Sequence, residues 1–214
     1  MAVKSEREYR DMTMEIRSAE NEEVEQEERK VVKGYASTFN EPYTLYENED
    51  WRFDEVVDAR AFDNTDMSDV IMQYDHEGRV FARMSNNTLT VVPDERGLLI
   101  EADLGGTELG RQLFEEIKGG YTNKMSFGFT VDGEERRDIK NADGKTVTVR
   151  TITSIRKLYD VSAVSLPAND ATSISVRTLT DGEIERIRAE RLEAEALELR
   201  RRKLLAKAKL NGGQ

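Results

Sequence analysis

Short apolar runs recur along residues 31–178 and are typical of β-strands. Apolar residues alternate in NKMSFGF, VIMQYDH is an apolar run that ends in two polar residues, and VVKGYASTFN and TVTVRTITSIRKLYDVSAVSLPAND supply further strands. Turn-forming clusters such as NN, PDERG and KNADGKT separate neighbouring apolar runs. Because connections this short join antiparallel strands, the pattern predicts a mainly antiparallel sheet.

One segment inside this region has helical spacing instead. Residues 107–118, TELGRQLFEEIK, predict a helix that Thr107 caps and that ends at Gly119 and Gly120. The apolar face of this helix is predicted to consist of Leu109, Leu113, Phe114 and Ile117. The segment DARAFDNTDMS suggests a further short helix.

The N-terminal part of the chain is more charged than the middle. Residues 1–11 are predicted to be frayed, and alternation at Met12, Met14 and Ile16 predicts a first strand after them. Residues 20–30 hold six Glu, which predicts a solvated loop.

The C-terminal part changes character at Thr180, which forms a capping box with Glu183. The charged helix that follows is predicted to reach about Leu210. Its apolar stripe is thin, so two interpretations remain: a solvated helix, or a coiled-coil or docking helix. The chain therefore divides into a charged segment with a first strand (1–30), a β-rich domain (31–178) and a helical tail (179–214).

The order of these elements predicts the α+β class, mainly β. Many short strands and one clear helix between strands fit an antiparallel β-barrel, closed or nearly closed, with helices around it. The long charged C-terminal helix follows this barrel.

Composition narrows the function classes. The net charge of −11 argues against nucleic acid as the main partner, because phosphate binding needs a basic surface. Cysteine is absent, which excludes a thiolate nucleophile and a cysteine-bound metal. No membrane span is expected, since no run of about 18 apolar residues occurs, and the N-terminus lacks the apolar stretch of a secretory signal. No metal-ligand spacing and no Gly-rich phosphate loop indicates a cofactor.

His76 is the one histidine of the chain, so any mechanism that needs imidazole must use it. It follows an apolar strand, where a rigid element aims a side chain at solvent. A surface or satisfied core histidine is the alternative.

A serine becomes a nucleophile when a base accepts its proton. Ser126 lies in NKMSFGF, and Gly128 allows a close approach on the same strand face. A strand serine hydrogen-bonded to a neighbour is the alternative here, because the Gly-x-Ser-x-Gly motif is missing.

Asp160 is the candidate for a third group that orients the base. It lies among apolar residues in KLYDVSAV, where a buried carboxylate needs a partner. Alternatively, strand alternation points it outward. Asp75 is the weaker candidate, because adjacent strand residues face opposite sides and it neighbours His76.

Four segments, taken in order, resemble the HK97-like phage prohead (capsid maturation) protease family. They are VKGYASTFN, YDHEGRVFARM, GLLIEADLGGTELGRQLFEEIKGGYTNKMSFGF and RTITSIRKLYDVSAVSLPAND, and together they cover about residues 31–177. The ordered set of DH, MSFGF and LYDVSAVSLPA is the specific part. This family is similar to the herpesvirus assemblin proteases, so the resemblance implies a β-barrel ringed by helices and serine peptidase chemistry.

Matched by position, the resemblance implies that Ser126 is the nucleophile and His76 the general base. Asp160 stands where the family commonly has a Glu. The herpesvirus enzymes use a second histidine as the third member, which this chain lacks. An acid must take that role, or the site is a dyad.

The resemblance also implies a role inside the viral procapsid in the host cytoplasm. There the protease cuts the scaffolding part of the major capsid protein, and usually itself. No cofactor, nucleic acid or membrane is implied, and dimerisation is an analogy with the herpesvirus enzymes. The rival hypothesis is a non-enzymatic assembly or scaffolding protein, which the acidity and the charged terminal helix also fit.

Overall fold

The computed structural model describes residues 7–12, 17–18, 30–165, 169–170, 173–174 and 181–211. The chain divides into two compact units, Met1–Thr178 and Leu179–Gln214. The strands are β1 Glu8–Met12, β2 Arg17–Ser18, β3 Val31–Thr38, β4 Tyr43–Glu47, β5 Trp51–Val57, β6 Ile71–Tyr74, β7 Glu77–Arg83, β8 Leu89–Pro93, β9 Gly97–Asp103, β10 Lys124–Lys140, β11 Thr146–Val164, β12 Asn169–Asp170 and β13 Ser173–Ile174. The helices are α1 Glu108–Lys118, α2 Asp181–Asn211 and a 3-10 turn at Met84–Asn86.

Two sheets make up most of the first unit. The larger has the order β1-β10-β11-β5-β4, with β6 also paired to β11 and β7 to β6. The smaller has the order β2-β3-β9-β8, and β12 pairs with β13. The mainly β prediction is therefore confirmed.

Strand β11 organises the larger sheet. It pairs antiparallel with β10 along nearly its whole length. Its other edge pairs parallel with β5 over Thr146–Ile152 and parallel with β6 over Asp160–Ala163. The predicted antiparallel arrangement holds for β10 with β11 but is wrong for β5 and β6 with β11. The reason is that several strands and α1 intervene between β5 or β6 and β11, which is the long crossover that parallel neighbours need.

Among the described residues, the first and last strands of each main sheet do not pair with each other, so the predicted closed barrel is not confirmed. The larger sheet nevertheless curls strongly. Arg10 on β1 reaches Glu55 on β5, although β10 and β11 lie between these strands in the sheet. The inner side of the curl therefore brings together side chains from strands that are not neighbours.

Strand β10 is fixed on the core by alternate apolar residues. Met125, Phe127 and Phe129 are fully buried, and the rings of Phe127 and Phe129 stack at 4.6 Å. Phe62 packs against Phe127 with the ring centroids 6.3 Å apart. Burying each such side chain contributes roughly 1.5–3 kcal/mol. The intervening residues, Ser126 among them, are thereby held on a rigid strand.

The predicted helix at residues 107–118 is present as α1. Thr107 Oγ1 accepts a hydrogen bond from the Gly110 N–H at 2.9 Å, as a helix cap should. Leu113, Phe114 and Ile117 are buried, whereas Leu109 is 40% exposed. The buried face therefore excludes Leu109.

Two local predictions are wrong. The segment DARAFDNTDMS forms successive turns rather than a helix. Its backbone hydrogen bonds join residues that are three positions apart, such as the Ala61 N–H and the Asp58 carbonyl. The N-terminal segment is not frayed throughout, since β1 pairs with β10 from Glu8 to Met12. The predicted strand residues Met14 and Ile16, and the Glu-rich loop up to residue 29, lie outside the described residues.

The second unit contains α2, which agrees with the predicted charged helix. Three ion pairs one turn apart lie along it: Arg186–Glu190, Arg191–Glu195 and Arg202–Glu198. Exposed pairs of this kind stabilise a helix by about 0.3–0.5 kcal/mol each. The predicted cap Thr180 lies outside the described residues. Neither described helix has the length and apolar character to cross a membrane.

Candidate active site

His76 lies in the tight turn between β6 and β7. Both central residues of this turn have left-handed backbone angles, with φ of 48° at Asp75 and 59° at His76. Two-residue hairpin turns require positive φ at such positions, and non-glycine residues adopt it at roughly 1–2 kcal/mol each. The surrounding structure must therefore hold this turn in place.

Asp75 supplies that hold. Its N–H donates to the Ala163 carbonyl at 2.9 Å. Its carboxylate accepts hydrogen bonds from the N–H of Ser165 at 3.0 Å and from the hydroxyl of the same residue at 2.9 Å. Asp75 is thus tied to the end of β11, and the His76 ring is aimed at that strand from a fixed turn.

Ser126 is on β10 and Asp160 is on the neighbouring β11. The His76 Nδ1 lies 2.5 Å from Asp160 Oδ1, and the His76 Nε2 lies 2.5 Å from Ser126 Oγ. The structure therefore brings together all three residues that the sequence singled out. Asp75 is not part of this series, because it faces Ser165 instead.

The side chain of Asp160 is fully buried and has further partners. The Ser162 hydroxyl donates to Oδ1 at 2.8 Å, and the Arg7 guanidinium pairs with Oδ2. Burial acts to raise the pKa of Asp160, but the His76 ring, the Arg7 charge and the Ser162 hydroxyl outweigh it and lower the pKa below its ordinary value. Asp160 is therefore an acceptor at neutral pH, so His76 carries its proton on Nδ1 and presents Nε2 to Ser126.

Gly128 gives the Asp160 carboxylate its space. A Cβ on Gly128 would lie 2.3 Å from Asp160 Oδ2 and 3.0 Å from atoms of both Arg7 and Tyr9. The sequence indicated a close approach at this glycine. The approaching groups are the acid of the site, Tyr9 of β1 and Arg7, which directly precedes β1.

Strand β1 and Arg7, the residue before it, contribute groups that the sequence did not indicate. The Tyr9 ring packs edge-on against His76 at 4.5 Å. The Arg7 guanidinium lies over the rings of Tyr9 and Tyr159, at 5.1 Å and 4.5 Å from their centroids. Ser126 Oγ lies 3.0 Å from the Arg10 carbonyl oxygen, which is a second acceptor for its proton. A tyrosine within the charged N-terminal segment was the one available signal.

The hydroxyl of Ser126 faces two acceptors with a single proton. One is His76 Nε2 and the other is the Arg10 carbonyl oxygen. Only the first arrangement passes the proton to a base. Ser126 is also fully buried, and the His76 side chain is 12% exposed. Strand β1 thus covers the side from which a second peptide would approach.

A second polar cluster lies on the opposite side of β1. Its centre is Glu55, which pairs with Arg10 and with Arg150 and accepts the Tyr43 hydroxyl. Glu8 and Glu134 complete it through Arg150. Burial acts to raise the pKa of Glu55, but the two guanidinium groups outweigh it and hold the pKa below its ordinary value.

Among the described residues, no group of three or more histidine or carboxylate side chains is placed to hold a metal ion.

Comparison with known proteins gives one match. The family model described as caudovirus prohead serine protease matches residues 13–186. No curated protein and no solved structure matches the chain.

Proposed function

Because the chain belongs to the caudovirus prohead serine protease family, we propose that it is the endopeptidase of capsid maturation. In this proposal it cuts the scaffolding part of the major capsid protein, and itself, inside the procapsid. The observation that carries the proposal is the hydrogen-bonded series Asp160–His76–Ser126.

The proposed reaction is acyl transfer. His76 Nε2 accepts the Ser126 proton while Oγ bonds to the carbonyl carbon of the scissile peptide. The tetrahedral intermediate collapses, His76 gives that proton to the leaving amine, and the C–N bond breaks. A water then gives one proton to His76 and attacks the ester. The acid product leaves, and the proton returns to Ser126.

Asp160 acts through His76 in this mechanism. Its carboxylate holds Nδ1–H at 2.5 Å, which fixes the tautomer and stabilises the imidazolium that forms. Its own position is held by Ser162, Arg7 and the space at Gly128. These contacts support Asp160 as the third member of a triad rather than a site that is a dyad.

Inside the procapsid, a modest intrinsic protease activity is sufficient. Enzyme and substrate enclosed in one shell meet at a high effective concentration, as linked binding partners do. Dimerisation is not required by the geometry of this site, since all three groups come from one chain.

The test is processing of the capsid protein. Co-expression of the full chain with its capsid protein should give shortened capsid protein, and Ser126→Ala should abolish the shortening. The matched control is Ser162→Ala, which removes a neighbouring buried hydroxyl and should reduce processing without abolishing it. Equal shortening with wild type and Ser126→Ala would overturn the proposal.

A scaffolding protein without activity is the second candidate. It predicts no reaction of Ser126 with a serine-directed fluorophosphonate. The mainly β first unit weighs against it, because scaffolds are usually helical. A docking role for α2 stays a prediction, which deletion of residues 180–214 tests through loss of packaging.

A further inference from the structure

The peptide group nearest to the candidate nucleophile belongs to the chain's own β1. Ser126 Oγ donates a hydrogen bond to the Arg10 carbonyl oxygen at 3.0 Å. Strand β1 runs antiparallel to β10 in unbroken register from Glu8 opposite Phe129 to Met12 opposite Met125. Adding an extended strand to a sheet edge is a recurring way in which proteins bind peptides. Strand β1 therefore has the conformation and the position that a peptide substrate would need.

The side chain of Arg10 enters a buried pocket beneath this strand. Its Nε lies 2.5 Å from Glu55 Oε1, and its Nη2 lies 3.0 Å from Glu55 Oε2, so the contact is two-pronged. The guanidinium also lies 5.6 Å from the centroid of the Phe129 ring. The Tyr43 hydroxyl donates to Glu55 Oε1 at 2.5 Å and fixes the carboxylate. The pocket is thus shaped and charged for a planar cation.

The groups that stay behind without β1 define the pocket. Glu8 and Arg10 both belong to β1, so its departure removes one carboxylate and one guanidinium. Glu134 keeps Arg136 and Arg150 as partners. The fully buried Glu55 keeps Arg150 and the Tyr43 hydroxyl but loses its two-pronged guanidinium partner. A buried carboxylate that loses a charged donor is destabilised, so a strand that replaces β1 is favoured when it returns a cation to Glu55.

We propose that β1 occupies the substrate cleft of this enzyme, and that Glu55 selects arginine or lysine at the residue whose carbonyl meets Ser126. Arginine should be preferred, because its fork matches both carboxylate oxygens. The inference rests on the proposed function, since it assigns specificity to the same site. It also means that a substrate must displace β1 before Ser126 can attack it.

The experiment uses peptidyl diphenyl phosphonates, which modify active serines, on the full chain. Three probes carry an arginine-like, a leucine-like or a glutamate-like side chain next to the phosphorus, and the rate of adduct formation at Ser126 is followed by intact mass. A small fluorophosphonate without a peptide and the variant Ser126→Ala are run in parallel. The arginine-like probe should react at least about tenfold faster than either other probe, the ratio that about 1.4 kcal/mol gives.

The variant Glu55→Gln tests the pocket itself. It should bring the rates of the arginine-like and leucine-like probes to within about threefold, the ratio that corresponds to half of that free energy. The matched control Glu101→Gln removes an exposed carboxylate that pairs with Lys33 on the other sheet, and it should keep the full preference. A Glu55→Gln chain that does not fold leaves the wild-type preference as the deciding measurement.

The outcomes separate the two proposals. Ser126 labelled by the fluorophosphonate, with no preference for the arginine-like probe, overturns the specificity proposal and leaves the protease proposal standing. A preference that survives intact in folded Glu55→Gln overturns the role of Glu55. No labelling of Ser126 by any reagent contradicts the protease proposal, and the specificity proposal fails with it.

Discussion

Two polar clusters are buried on opposite sides of β1, and they differ in how their groups are satisfied. On one side, Ser126 has one proton for two acceptors, and His76 has a left-handed backbone. On the other side, Glu55 is paired with two guanidinium groups and a tyrosine hydroxyl. Strain and competing hydrogen bonds tend to occur at functional sites, whereas full pairing serves the fold. Substitutions on the first side should therefore mainly change the reaction rate, whereas substitutions at Glu55 should lower stability as well as the preference for a basic side chain.

The largest effect is expected for His76→Asn. Asparagine tolerates the left-handed backbone, so the turn should survive, but its amide accepts no proton. Processing of capsid protein and fluorophosphonate labelling should each fall by at least about 10³-fold. Urea unfolding should change by less than about 1 kcal/mol. Retained labelling in a folded His76→Asn chain would remove His76 from the mechanism.

The opposite behaviour is expected for Glu55→Gln. The amide keeps the shape, but Arg10 and Arg150 lose the carboxylate that they share. Removing one partner of a buried ion cluster destabilises by about 3–5 kcal/mol, to be read from the midpoint and slope of urea unfolding. Glu101→Gln, with its exposed ion pair, should change stability by less than about 0.5 kcal/mol. A loss below 1 kcal/mol at Glu55 would show that the cluster does not stabilise the fold.

The sequence could predict a cluster only as far as its residues lie in recognisable strands and not where they contact residues far away along the chain. The apolar alternation around Ser126 and the single histidine made Ser126, His76 and Asp160 candidates, because each follows or lies within a recognisable strand. The resemblance to the prohead protease family was needed to choose them over their structural alternatives. The partners on and next to β1 were not predictable, since Arg7, the residue before β1, and Asp160 are 153 positions apart. A short charged strand looks frayed until its cross-sheet partners are known.

The strand pairing could likewise be predicted only for strands that are neighbours in the sequence. Short connections predicted antiparallel neighbours, and β10 with β11 fulfils this. The parallel pairing of β6 with β11, which brings the His76 turn to the end of the Asp160 strand, leaves no local pattern. The sequence DH also does not indicate a turn with two positive φ angles, because glycine or asparagine normally occupies such positions.

Acid should destabilise the charged cluster around Glu8. The charges and hydrogen bonds of Arg150 and Arg10 outweigh burial at Glu8 and lower its pKa from 4.5 to about 2. Its folded pKa is depressed, so the stabilisation it provides is complete above pH 4.5 and is lost as pH falls toward 2. The loss is on the order of 3 kcal/mol.

Urea unfolding between about pH 5 and pH 2 measures this loss. Glu55 and Asp160 also have a lowered pKa, so the wild type should lose more than Glu8 alone contributes. The slope of stability against pH should be shallower in Glu8→Gln than in the wild type. Parallel curves would mean that Glu8 gains nothing from its two arginine partners.

The smallest effect, and the one that links the two sides of β1, is expected for Gly128→Ala. The new methyl group would lie 2.3 Å from Asp160 Oδ2 and 3.0 Å from atoms of Arg7 and Tyr9. Either the carboxylate turns away from His76 or β1 is lifted from β10. The first outcome should lower the rate of fluorophosphonate labelling by about 10–100-fold, because a misplaced orienting group is costly in catalysis.

The second outcome of Gly128→Ala should raise the labelling rate instead, since lifting β1 uncovers Ser126. Gly106→Ala is the matched control: no atom lies within 4 Å of its added Cβ, so it should label at the wild-type rate. A Gly128→Ala chain that also labels at the wild-type rate would contradict the packing of Asp160 against this glycine. A faster rate would show that coverage by β1, rather than the alignment of Asp160, limits the intact chain.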